Sequence, residues 1–135
     1  MEVIIPFFIA HWYLSLFFQT FFLHRYAAHK AFTMSRLTEK VFFVLTWAFQ
    51  GSNYLSPYGY GVMHRMHHAY ADTEDDPHSP KYDDNLFNMM WKTKTIYSAI
   101  TARKVDVDKR FTDGVPAWHA FDAFARSWVS RLFWG

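Results

Sequence analysis

The chain has 135 residues and a formal net charge of +2; 51% of it is apolar and 21% aromatic. That length allows one domain at most. The apolar content excludes a disordered chain, and the near-neutral charge excludes an electrostatic nucleic-acid binder.

Cysteine is absent, which removes disulfides, zinc fingers, thiol nucleophiles and iron–sulfur clusters. Residues 3–23, VIIPFFIAHWYLSLFFQTFFL, carry no acidic or basic side chain apart from His11. At about 1.5 Å per residue such a helix spans roughly 30 Å, the thickness of a bilayer core, so a transmembrane helix is expected. Glu2 before the run and the bulky HRY after it argue against a cleaved signal peptide. Pro6 sits where the start of a helix tolerates it. His11, Ser15 and Gln19 recur every four residues on one face, which should turn toward protein rather than lipid. Glu2 is the charged side chain before the run, while Arg25, Lys30, Arg36 and Lys40 follow it. The positive-inside rule therefore places its C-terminal end in the cytoplasm.

Ser35 and Thr38 are candidate N-caps for a second helix, and Glu39 suits its first turn. The apolar run 41–55, VFFVLTWAFQGSNYL, is short for a crossing and is broken by Gly51, Pro57, Gly59 and Gly61. A re-entrant or interfacial helix is expected there. ADTEDDPHSPKYDD, after residue 68, reads as an acidic loop, and 86–104 as an amphipathic helix with a basic side and a Trp anchor. Residues 105–117 are polar, and 118–135 become aromatic again. The expected architecture is an all-α integral membrane protein. It has one spanning helix (3–23), a short re-entrant or interfacial helix (41–55) and a cytoplasmic helical segment (62–135).

Five of the eight histidines form two clusters: HRYAAH, with His24 and His29, and HRMHH, with His64, His67 and His68. Offsets of three and four place His67 and His68 on either side of His64, one turn away. Being adjacent, their rings diverge by about 100° and can serve different ions. The five-residue offset of His24 and His29 puts them about 140° apart on a straight α-helix. They can share a metal zone only at a frayed helix end or between two ions. Neutral imidazole suits iron, copper, zinc and nickel. There is no HExxH and no helical Glu-x-x-His pair, which argues against a zinc protease and a carboxylate-rich di-iron bundle. A joint site needs both clusters on one membrane face, so the run 41–55 should dip and return. His11 and His119 read as packing residues; His78, in DPHSP, is open to either role.

HRYAAH, then HRMHH followed by DTEDDPHSP, resemble the first two histidine boxes of the membrane fatty-acid desaturases, in particular the bacterial acyl-CoA desaturase type. The resemblance implies two irons held by imidazoles on the cytoplasmic face, with His24, His29, His64, His67 and His68 as ligands. It implies that O2 is the co-substrate and that a cis double bond is introduced into a fatty-acyl chain, carried as acyl-CoA or linked to lipid. It implies an electron donor such as cytochrome b5 or a ferredoxin, membrane lipid as the surroundings, and no nucleic-acid partner. A third box of HxxHH form is missing, and His119 in AWHAF does not match one. The chain is therefore expected to be the N-terminal part of a longer enzyme. The alternatives are a related membrane di-iron lipid hydroxylase and a non-catalytic membrane fragment with a residual metal site.

Overall fold

The computed structural model describes residues 2–134. Among these the protein is all-helical: α1 (Ile4–Phe18), α2 (Arg36–Gln50), α3 (Pro57–Tyr70), α4 (Leu86–Thr101), α5 (Lys109–Thr112), α6 (His119–Ala125) and α7 (Trp128–Trp134). Helix α1 continues without a break into a π-helical segment, Gln19–Ala28. The 25-residue unit Ile4–Ala28 is the one described helix long and apolar enough to cross a bilayer. Its outer surface is bare: Ile4, Phe7, Phe8, Trp12 and Tyr13 are all exposed. It runs past the expected end at residue 23 and stops where Lys30 adopts a positive φ of 50°.

Ser35 does cap α2, its Oγ accepting from the Thr38 amide at 3.1 Å. Helix α2 runs antiparallel to the first helix, joined by aromatic contacts. Phe22 meets Phe43 with ring centroids 5.5 Å apart, and Phe18 stacks on Phe49 at 5.2 Å. Phe22 and Phe43 are fully buried, each contributing about 1.5–3 kcal/mol. Gly51 ends α2 at φ 58°, a conformation that glycine adopts without a Cβ penalty.

Helix α3 then leads back toward the first histidine cluster. Pro57 occupies its first turn and Ser56 caps it. Gly59 and Gly61, expected as breakers, lie inside α3. Gly61 is there for closeness: a Cβ on it would stand 3.0 Å from the Ala27 carbonyl oxygen. Tyr58 and Val62 of α3 form a second core with Ile100, Phe111 and Val115.

Helices α6 and α7 close over α2. Asp122 is buried and accepts from Tyr54 Oη at 2.7 Å and Ser56 Oγ at 2.9 Å. The Trp47 indole donates to Ser130 Oγ at 2.7 Å. The stretch between α3 and α4 is a helix-free loop, and α4 starts at the Asn85 cap, ending three residues short of the expected 104.

Candidate metal centre

The first cluster lies at the end of the π-helical segment. Its i→i+5 hydrogen bonding stacks residues five apart, and the His29 amide donates to the His24 carbonyl at 3.0 Å. The 140° divergence expected on an α-helix therefore does not arise, and the two rings lie 4.5 Å apart between centroids. On α3, ordinary α-helical winding places His64 and His68, four apart, on one face.

The two pairs meet. His29 Nε2 lies 3.1 Å from His24 Nε2 and 3.1 Å from His64 Nε2, and His64 Nε2 lies 3.0 Å from His68 Nε2. All four donor nitrogens fall within 4.8 Å of one another. Nitrogens about 2.0–2.1 Å from one ion sit roughly 2.8–3.0 Å apart in octahedral-cis geometry and roughly 3.3–3.4 Å apart in tetrahedral geometry. The spacing and chemistry of this donor set thus fit a transition-metal ion.

The electrostatics agree. Burial holds the His64 imidazole down to about 4, helped by His24, His68, His29 and His67. Burial, His24, His68 and Arg65 likewise lower His29. Neutral rings are the ligand form.

His67 points elsewhere. Its Nδ1 bonds the Asp76 carboxylate at 2.9 and 3.0 Å, which leaves Nε2 with its lone pair free. The Asp76 side chain is fully buried in the acidic loop. Burial alone would raise its pKa, but hydrogen bonds from His67 and from the His78 and Asp72 amides hold it below the ordinary carboxylate range.

The His78 ring lies 6.0 Å from that of His67, and its Nδ1 meets Thr93 Oγ1 at 3.1 Å. His11 stacks on Phe7, and His119 opens α6; neither belongs to the four-histidine group.

A half-open cavity of about 950 Å³ has Tyr60 and Met63 of α3 in its wall, and the Tyr60 ring stacks on that of His64 at 5.4 Å. Ser15, half-buried, and Gln19, exposed, both line it, so two members of the expected polar face border the cavity. The Phe residues of α1 do not: Phe7 and Phe8 face outward, and Phe18 packs on α2. Two residues escaped sequence reasoning. Asp76 was one acid among several in the loop. Arg65, the residue after His64, donates to the Ala27 and Ala28 carbonyls. The only signal for either was its place beside a histidine motif.

An apolar helix whose end joins a second helix in a cluster of four imidazoles defines a membrane-type helical protein able to hold a transition metal. The chain belongs to the fatty acid desaturase family, whose sequence profile matches residues 2–135. It is similar to Delta-9 desaturase-like 4 protein of Arabidopsis thaliana, 32% identical over 79 residues, 58% of this chain and 25% of that protein. It is also similar to hex-5-enoyl-[acyl-carrier protein] acetylenase of Moorena producens (strain JHB), 36% identical over 72 residues, 53% of this chain and 22% of that protein. Delta-9 acyl-lipid desaturase 2 of Arabidopsis thaliana is 32% identical over 75 residues, 55% of this chain and 23% of that protein. The chain thus matches about a quarter of the length of these relatives. No solved structure matches it.

Proposed function

We propose that this chain forms part of an oxygen-dependent fatty-acyl desaturase that introduces a cis double bond at a histidine-bound di-iron centre. The convergence of His24, His29, His64 and His68 carries the reading. These four would hold one iron, and His67, oriented by Asp76, would contribute to the second. Iron bound there supplies the dioxygen chemistry that breaking an unactivated C–H bond requires and no side chain provides.

The chain's own residues prepare that chemistry. Burial keeps His64 in its neutral, ligating form at physiological pH. Asp76 fixes the His67 ring so that Nε2 is its free nitrogen. The adjoining cavity, with Gln19, Tyr60 and Met63 in its wall, would take the acyl chain. Lys94, Arg126 and Arg131, also in that wall, suit the anionic end of an acyl carrier or lipid. Electrons would come from a donor such as cytochrome b5 or a ferredoxin. Ile4–Ala28 would span the bilayer with the histidines on the cytoplasmic face, and α2 would dip in and α3 return.

The test is metal analysis of the protein purified from iron-supplemented cells, with product mass measured in the presence of an acyl substrate and a reductant. Bound iron that falls sharply in His64→Ala and stays in His119→Ala, with loss of two hydrogens from the product, supports the reading. Iron unchanged in His64→Ala overturns the site, and gain of one oxygen without loss of hydrogen overturns the reaction.

A further inference from the structure

Arg65 stands between His64 and Met66 on α3, and among the described residues its half-buried guanidinium donates to backbone carbonyls alone. Nε reaches the Ala28 oxygen at 2.7 Å and Nη2 the Ala27 oxygen at 2.9 Å. Nη1 reaches the oxygens of Phe111 at 3.1 Å and Asp113 at 2.9 Å. Ala27 and Ala28 end the π-helical segment, and among the described residues no other backbone amide outside the helix takes up their carbonyls. Carbonyls at a helix end lack intrahelical partners, and a cation there also meets the negative end of the helix dipole. The Ala28 carbonyl belongs to the peptide that leads directly into His29. One rigid, planar group attached next to His64 therefore grips the backbone next to His29, and the Nε2 atoms of those two histidines lie 3.1 Å apart. One turn earlier, Gly61 brings α3 against the same Ala27 carbonyl.

We infer that Arg65 is a positioning residue that sets the separation of the two histidine clusters, clamping the end of the π-helical segment and the C-terminal end of α5 to α3. The inference rests on the metal reading for its consequence but not for its geometry. A lysine cannot take its place: an ammonium lacks the planar fork that reaches several carbonyls at once.

Two measurements test it on the full chain in lipid nanodiscs. The chain has no cysteine, so nitroxides at Ala31→Cys and Ala69→Cys, both exposed positions, report the separation of the clusters without metal. Cobalt(II) titration, followed by its visible absorption, reports the donor set.

In Arg65→Ala the interspin distribution should broaden and cobalt(II) affinity fall about 10–100-fold, the usual cost of losing support to a metal ligand. Guanidinium at millimolar, non-denaturing concentration should restore both, while Arg65→Lys should stay impaired. Trp47→Ala, which opens the packing of α2 against α6 and α7 away from the clamp, should lose stability and keep its cobalt(II) affinity. An Arg65→Ala protein with the wild-type interspin distribution overturns the inference. So does a loss of affinity that Trp47→Ala reproduces and guanidinium does not repair. If the wild-type chain binds no cobalt(II), the metal reading fails, and the spin labels still decide the clamp.

Discussion

Replacing Asp76 with Asn changes one atom in a fully buried position and tests what the acidic loop contributes. The carboxylate accepts from three donors. Oδ1 takes the His67 ring at 2.9 Å and the His78 amide at 2.9 Å; Oδ2 takes the same ring at 3.0 Å and the Asp72 amide at 3.2 Å. With its oxygen at the Oδ1 position, Asn keeps His67 and His78 but turns its own N–H groups toward the Asp72 amide. An orphaned buried donor costs about 1–3 kcal/mol, and exchanging charged for neutral acceptors costs about 1 kcal/mol more. The expected loss is therefore about 2–4 kcal/mol in the metal-free chain. The neutral amide oxygen also holds the His67 ring less firmly than the carboxylate and leaves its Nε2 less basic, so metal affinity should fall, by up to about 10–100-fold. Urea unfolding followed by circular dichroism reads the first effect, and cobalt(II) titration the second. A change within about 0.5 kcal/mol, the range of an ordinary surface substitution, together with wild-type affinity, would refute the account of Asp76.

Three further outcomes follow from the same geometry. The unfolded chain protonates the His64 ring near the ordinary 6.5, and the folded chain only near about 4. The unfolded state therefore binds more protons between those values, and stability of the metal-free protein should rise with pH from about 4 to 6.5 and then level off; a His64→Gln protein should show a shallower rise in urea midpoints over that window. Gly61→Ala should destabilise by about 1–3 kcal/mol despite the better helix propensity of alanine, because the new Cβ meets the Ala27 carbonyl and Val115 at 3.0 Å each; a higher melting temperature would refute the close-approach argument. Asp122→Ala strands the buried Tyr54 hydroxyl and should cost about 1–3 kcal/mol in urea unfolding, and adding Tyr54→Phe should recover part of it.

Much of the local structure was legible because it depends on neighbours in sequence. The apolar run gave the long first helix, Ser35 the start of α2, and the i, i+4 offset the pairing of His64 with His68. What was not legible depends on partners distant in sequence. Gly59 and Gly61 read locally as breakers, yet they sit inside α3 because Tyr97 with Thr101, and Ala27 with Val115, come too close for a Cβ. Composition marks the 71–85 loop as acidic but cannot single out Asp76, which is buried because His67 and two amides converge on it. The Phe rings of the first helix are used for helix pairing and the outer surface, and the cavity wall takes Ser15 and Gln19 from that helix and Tyr54 and Tyr60 from farther along the chain.

The least legible feature is also the one on which the centre depends. A five-residue histidine spacing and a four-residue one cannot both present their rings to a single point from two ordinary α-helices. The structure resolves the mismatch by winding each helix to its own spacing: π-helical bonds close i→i+5 through His24 and His29, and α-helical winding stacks His64 and His68. π-Helical winding is rare and is found mostly at functional sites, and here it runs over ten residues. A segment this long in so rare a winding gains from contacts outside the helix. That support is visible on α3, where Gly61 admits the Ala27 carbonyl and Arg65 takes up the last two carbonyls of the segment. The second cluster thus brings with it the groups that hold the first in its unusual winding, so the two clusters form one structural unit before any ion binds.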